Sequence, residues 1–206
     1  MSIALSLLSV AALWTLAVVT PGPNFLVIAR LAVGQSRAAG LRAVIGIGAG
    51  TAIWGAAGFF GVHALFTAAP WMYAGLKLLG GAYLVFLGSR LLWQSRRPAA
   101  NEREKADRPR SLSPFQLGLV TNLANPKSAL FVASLFATAM PNHPPVALGL
   151  AAIAIMVALS ISWYALVACL FTTRRIAAAY EHGRLWVDRV AGAIFVLFGA
   201  RLIASS

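Results

Sequence analysis

The feature that most constrains this chain is a series of six long apolar stretches, each close to or above the roughly 20 residues that a transmembrane helix needs. They cover residues 2–29, 40–66, 70–93, 114–139, 146–171 and 186–204. The chain as a whole is 60% hydrophobic and 11% charged, whereas soluble domains are about 45–50% apolar and about 25% charged. We therefore predict an all-α integral membrane protein with about six transmembrane helices.

Basic residues lie almost entirely in alternate gaps between these stretches. The first, third and fifth gaps with their edges hold three, seven and four of them, fourteen of the seventeen Lys and Arg, and the other two gaps hold none. Cytoplasmic loops carry this excess, so we predict that these three gaps are cytoplasmic and that both termini are periplasmic. The net charge of +12 is then a topology signal, and no nucleic-acid partner is expected.

Two proline-containing clusters interrupt the apolar stretches. Pro21-Gly22-Pro23-Asn24 lies in the first stretch and Asn122-Leu123-Ala124-Asn125-Pro126-Lys127 in the fourth. Proline removes a backbone donor and clashes with the preceding turn, and inside a bilayer the freed carbonyls need partners in protein or in a water-filled cavity. Broken helices at corresponding places in two halves of a chain point to a transport site, although the first break comes about seven residues later in its stretch than the second.

The two halves also share a sequence repeat near their ends. Residues 76–92 and 187–203 align with a shift of 111 positions, which pairs Gly81 with Gly192, Gly88 with Gly199 and Arg90 with Arg201. Three spans per half would give the halves opposite orientations in the membrane. We predict two inverted three-helix repeats, residues 1–93 and 114–206, joined by a polar cytoplasmic linker at 94–113.

Five segments, in order along the chain, carry a resemblance to a known family. They read TPGPN, GQSRAAGLRAVIGIGAG, LKLLGGAYLVFLG, NLANPKSALF and DRVAGAIFVLFGARL. The chain thus resembles the LysE/RhtB family of amino-acid exporters over nearly its whole length. The resemblance implies a multi-pass protein of the bacterial inner membrane that exports amino acids or close derivatives, driven by the proton motive force, and that is not an enzyme.

An amino-acid substrate is a zwitterion and needs donors for its carboxylate and acceptors for its ammonium group. Half-helix N-termini supply backbone donors and the positive end of a dipole, and carbonyls freed by proline supply acceptors. The predicted substrate-binding residues are therefore those of the two breaks: Pro21, Gly22, Pro23, Asn24, Asn122, Asn125, Pro126 and Lys127. The alternative is that each break is a purely structural kink. Because few acidic groups lie within the spans, we expect neutral amino acids.

Three ionisable residues lie within or near spans, where such groups are costly and often functional. Lys127 follows the second break and is a candidate for holding the substrate carboxylate, or alternatively for pairing with Asp188. Asp188 is the acidic residue inside a predicted span and the candidate for proton coupling, unless it pairs with a neighbouring arginine. Lys77 aligns with Asp188 in the repeat and is a candidate charge partner, with no role assigned.

Other functions find less support in the sequence. Membrane thiol–disulfide carriers need paired cysteines, and this chain has Cys169 alone. Export of a metal ion would want clustered soft ligands, and neither a metal site nor a cofactor is expected. Export of another small solute and a non-transporting assembly role stay open. So does a homo-oligomer, because the small residues Gly46, Gly50, Ala57 and Gly61 could face either the bundle or a second copy in the lipid.

Overall fold

A computed structural model of the chain describes residues 2–68, 70–95, 112–141, 144–170 and 174–204, with the backbone alone at some helical positions. All regular structure in these ranges is α-helical. The helices are α1 Ile3–Val19, α2 Pro23–Gly34, α3 Arg37–Ala68, α4 Pro70–Gln94, α5 Pro114–Leu123, α6 Pro126–Ala139, α7 Val146–Leu170 and α8 Arg174–Ala204.

Several helices begin at residues whose side chains satisfy the first backbone N–H groups. Ser2 caps α1 by accepting from the Leu5 amide at 3.3 Å. Ser113 and Gln116 form a reciprocal capping box at the start of α5, with Pro114 at the first helical position, where its missing N–H costs nothing. Asn125 caps α6 by accepting from the Lys127 amide at 3.0 Å. These caps fix where each polypeptide segment enters its helix.

The two predicted breaks divide the first and fourth apolar stretches into two helices each. Helices α1 and α2 meet at Thr20–Gly22 with a bend of 54°, and α5 and α6 meet at Ala124 and Asn125. Pro23 and Pro126 occupy the first position of the following helix, which proline's fixed φ favours. Each half of the chain therefore begins with a broken helix pair and continues with two long helices.

Helix length and composition place this chain among integral membrane proteins. In the described residues, Arg37–Gly61 of α3 and Val146–Leu170 of α7 are each long and apolar enough to cross a bilayer, and the bent α1–α2 pair passes the same test as one span. Large apolar side chains are exposed along these helices, Ile45 and Leu150 among them, as expected of surfaces that face lipid.

The predicted start of the last stretch differs from the start of its helix. The apolar pattern predicts a loop between residues 171 and 186, which would include Arg174, Arg175 and Arg184, but α8 begins at Arg174. Hydropathy marks where a segment can enter hydrocarbon, whereas a helix continues wherever its residues have helical propensity and no proline intervenes. The segment 174–185 is rich in Ala and Arg, which are both good helix formers, so the helix extends beyond the apolar stretch.

Four glycines bring α4 and α8 into close antiparallel contact. A Cβ atom built on Gly88 would lie 2.5 Å from the Gly192 carbonyl oxygen, and one built on Gly192 would lie 2.8 Å from the Gly88 oxygen. Gly81 and Gly199 have the same mutual relation, at 2.8 Å and 2.5 Å. No larger residue fits at this backbone separation, which is the packing that small residues permit between helices in lipid.

The small residues of α3 lie partly inside the bundle. Gly46 and Gly50 pack against α5, where a Cβ atom on Gly50 would lie 2.7 Å from Asn122 Oδ1. Ala57 and Gly61 are instead exposed. Helix α3 thus lies between α5 and α7, while α1 packs on α7 and α6. This arrangement holds both helix breaks against the unbroken helices of the other half.

Candidate functional site

Both helix breaks open onto one cavity, which lies between the two halves of the chain. It encloses about 430 Å³ of atom-free space, a figure that includes the open space at its mouth. Residues from α1, α2, α3, α5, α6, α7 and the two breaks line it: Trp14, Ala17, Val18, Thr20, Gly22, Asn24, Thr51, Asn122, Asn125, Lys127, Ser128, Phe131, Ser160 and Tyr164.

At the first break, a lysine from the other half binds a carbonyl that proline leaves without its helical partner. Pro21 has no N–H to donate to the carbonyl of Ala17, four residues earlier. Lys127 Nζ lies 3.5 Å from the Ala17 oxygen, at the long end of hydrogen-bond distances. A cation is favoured here because the C-terminus of α1 is the negative end of its dipole. Lys127 therefore joins the two breaks across the cavity.

At the second break, a tryptophan from the other half likewise donates to the carbonyl that proline leaves without its helical partner. Pro126 cannot donate to the carbonyl of Asn122, four residues earlier. Trp54 Nε1 on α3 donates to that oxygen at 3.2 Å, and the Asn125 amide donates to it at 3.3 Å. Each break is thus capped by a side chain from the opposite half, as a membrane protein requires of freed backbone groups.

Three buried side-chain oxygens around the cavity have no hydrogen-bond partner among the described residues. They are Asn24 Oδ1, Thr51 Oγ1 and Asn122 Oδ1, on side chains that are 7%, 1% and 2% exposed. An unsatisfied buried polar group costs about 1–3 kcal/mol. Three such groups around one cavity provide hydrogen-bonding atoms for a polar molecule that enters it.

Aromatic residues complete the cavity wall. Trp14 Nε1 on α1 donates to Ser160 Oγ on α7 at 2.9 Å, and its ring lies 5.9 Å from that of Phe131. The phenol of Tyr164 interacts with the side chain of Asn24. These contacts fix the first break against α7 and keep the cavity walls apolar between the polar groups.

The structure brings together most of the residues that the sequence assigned to the site. Gly22 and Asn24 from the first break and Asn122, Asn125 and Lys127 from the second all line the cavity. The three prolines of the breaks shape the backbone around the cavity but are not among its lining residues: Pro21, Pro23 and Pro126. For Pro126 the structure describes the backbone alone.

The other two candidates, Lys77 and Asp188, lie on α4 and α8, but their side chains are outside what the structure describes.

Three residues that the sequence did not single out also line the cavity: Thr51, Ser160 and Trp14. The sequence does not show how an unbroken helix is rotated about its axis, and therefore does not show which of its residues face the cavity. A hydroxyl within an apolar stretch was the available signal for Thr51 and Ser160, which face the cavity from the unbroken helices α3 and α7.

Comparison with known proteins finds a family and a set of relatives over almost the whole chain. The family described as LysE type translocator matches residues 15–206. The threonine efflux protein of Escherichia coli K12 is 30% identical over 203 residues, which cover 96% of this chain and 97% of the relative.

Further relatives give similar coverage. The threonine efflux protein of Salmonella typhimurium LT2 is 29% identical over 199 residues, 96% of this chain and 97% of its own. An uncharacterized membrane protein of Pseudomonas aeruginosa is 32% identical over 196 residues, which is 92% of this chain and 90% of the relative. No solved structure matches the chain.

Proposed function

Because the chain belongs to the LysE type translocator family, we propose that it exports amino acids from the bacterial cytoplasm and binds them in the cavity between the two helix breaks. A translocator moves its substrate without changing it, and the protein is a multi-pass bacterial membrane transporter rather than an enzyme. The observation that carries the proposal is that two breaks about 100 residues apart in sequence share one polar cavity.

The polar groups of the cavity suit the two ends of a zwitterion. Helices α2 and α6 begin at the breaks with the positive ends of their dipoles, and α1 and α5 end there with the negative ends. Lys127, in the first turn of α6, is our candidate for the substrate carboxylate. The described residues that line the cavity include no carboxylate, so a second positive charge on the substrate would lack a partner, and we propose neutral amino acids or their close derivatives.

We propose that the fold consists of two inverted three-helix repeats, residues 1–93 and 114–206, joined by the linker 94–113. The contacts between α4 and α8 support this proposal. Gly81 contacts Gly199, and the residues that the repeat aligns with these two, Gly192 and Gly88, contact each other. A two-fold axis between the two helices would produce this pair of equivalent contacts. With basic loops in the cytoplasm, both termini face the periplasm of an inner-membrane protein.

The first test is efflux from cells loaded with amino acids. Cells that express the protein are loaded in turn with each of the twenty amino acids, and they should release at least one neutral amino acid faster than cells with an empty vector. A protonophore should reduce that difference if export is coupled to proton entry. The release of L-lysine measures the proposed preference for neutral substrates. Rates equal to those of the empty vector across all twenty amino acids would refute the proposal.

A second test concerns the coupling residue. We propose that Asp188 carries the proton in antiport, since it is the acidic residue within the predicted spans and a carboxylate in a membrane is costly unless it has a function. D188N should abolish the protonophore-sensitive part of efflux while counterflow, which needs no gradient, continues. E181Q on the same helix is the control and should leave both measurements unchanged. Intact protonophore-sensitive efflux in D188N would assign the coupling elsewhere.

A further inference from the structure

We infer that the side-chain oxygens of Asn24, Thr51 and Asn122 form the subsite for the substrate's ammonium group, and that Thr51 determines selectivity for substrates that carry one. The inference rests on the proposed function and goes beyond it by assigning one end of the substrate to particular atoms. Thr51 comes from the unbroken helix α3 and belongs to neither of the breaks that the sequence singled out.

Thr51 differs from four other hydroxyl residues of the helices in what its side chain binds. Two buried helix hydroxyls have no partner among the described residues, Ser6 Oγ and Thr51 Oγ1, and of these Thr51 lines the cavity. Ser9, Thr15, Ser134 and Thr138 each donate to the carbonyl four residues earlier, at 2.6 to 2.8 Å, which is the usual arrangement for hydroxyls in a helix. Thr51 Oγ1 makes no such bond and has no partner among the described residues, although the side chain is almost fully buried. Its hydroxyl is therefore available to a ligand in the cavity that it lines.

The two asparagine oxygens lie around the same cavity. The Asn122 oxygen lies beside Gly50, the neighbour of Thr51, where a Cβ atom would approach it to 2.7 Å. Asn24 in the first turn of α2 adds the third oxygen. All three are neutral acceptors held by rigid helices, so they present negative partial charge in a buried place without a carboxylate.

An alkylammonium group matches this set of atoms. It has three N–H donors and no acceptor, so three acceptors satisfy it completely. The C-termini of α1 and α5 at the breaks add the negative ends of two helix dipoles. The substrate would then lie across the cavity, with its ammonium group at the three oxygens and its carboxylate toward Lys127.

The test uses counterflow of labelled L-threonine into proteoliposomes that contain the purified protein. Two unlabelled competitors are compared, L-threonine and (R)-3-hydroxybutyrate, which has the same carbon skeleton, hydroxyl and carboxylate but lacks the ammonium group. The ratio of their inhibition constants measures how much the site gains from the ammonium. If L-threonine is not transported, the same comparison is made with the amino acid that the efflux screen identifies and its deamino analogue.

T51V, which removes the hydroxyl and keeps the shape, is expected to reduce this ratio about tenfold, because a hydrogen bond to a charged group contributes at least that much to affinity. T51S should restore the ratio of the unaltered protein. T138V, which removes a hydroxyl that binds its own helix, should leave it unchanged. If T51V does not give a monodisperse protein, T51A is measured instead.

Each remaining outcome overturns the inference. A T51V protein that loses affinity for both competitors equally would show that Thr51 acts on the structure of the cavity and not on the ammonium group. A loss of sodium dependence in T51V with an unchanged ratio, measured by replacing sodium with choline, would assign the three oxygens to an alkali cation. Absence of counterflow for every amino acid in the unaltered protein would instead refute the proposed function itself.

Discussion

K127M should reduce the rate of amino-acid efflux at least tenfold, the largest effect on transport that we expect from a single substitution. The methionine keeps most of the length and apolar surface of the lysine but removes the charge that we assign to the substrate carboxylate. A charge-assisted hydrogen bond contributes about 1.5–3 kcal/mol, which corresponds to about ten- to a hundredfold in affinity. Efflux from loaded cells and counterflow in proteoliposomes both measure the loss.

Lys127 also caps the carbonyl of Ala17 at the first break, so K127M removes this contact together with the charge. W54F provides the matched control, because it removes the corresponding cap from the Asn122 carbonyl at the second break without removing a charge. Loss of a neutral hydrogen bond costs about 0.5–1.5 kcal/mol, so W54F should lower thermal stability modestly and keep most of the transport. K127R keeps the charge and should retain part of the activity.

Two results would contradict the assigned role of Lys127. If K127M and W54F lose stability and transport to the same extent, then Lys127 only repairs the helix break. If K127M transports at the normal rate, the carboxylate of the substrate is held elsewhere. Measuring the competitor that lacks an ammonium group adds a further check, because its carboxylate should still depend on Lys127 while its affinity no longer depends on Thr51.

The helix breaks could be predicted from the sequence because proline acts locally. Pro21 and Pro126 each remove a known backbone donor, and the carbonyl that loses its partner is four residues earlier. The sequence therefore identifies Ala17 and Asn122 as residues with freed carbonyls. It does not identify Lys127 and Trp54 as their partners, since those donors are 110 and 68 residues away along the chain and only tertiary packing brings them there.

The cavity wall illustrates a second limit of sequence reasoning. An apolar helix in a membrane has no solvent-facing side, so its hydrophobic periodicity is weak and does not show which residues face the interior. Thr51 and Ser160 were for this reason not predicted, although both lie in predicted spans. Tyr164 packs in the core and also lines the cavity.

The repeat at the ends of the two halves has a physical reason that the alignment alone did not give. Gly81, Gly88, Gly192 and Gly199 lie where α4 and α8 come closest, and at each of them a Cβ atom would meet backbone atoms of the opposite helix. Arg90 and Arg201 are exposed and have no part in these glycine contacts. The close crossing of the two helices therefore explains why both halves have glycine at these aligned positions.

G88L is expected to destabilise the folded protein by about 3 kcal/mol, at the upper end of what overpacking costs. The new side chain would meet the Gly192 carbonyl and the backbone nitrogen of Val196, and backbone on a packed helix cannot move aside as a flexible side chain can. The yield of monodisperse protein in detergent and the midpoint of thermal unfolding measure the effect. A82L, on an exposed position of the same helix, is the control and should leave both nearly unchanged.

The mutual contact of Gly88 and Gly192 also predicts how the free-energy costs of substitutions at these two positions combine. G192L inserts the same side chain at the position that faces Gly88, so it should cost about as much as G88L. Because both variants separate the same pair of helices, the double variant should cost clearly less than the sum of the two, as expected for residues in direct contact. Unequal single effects, or strict additivity in the double variant, would argue against the two-fold relation between α4 and α8 and hence against the inverted repeat.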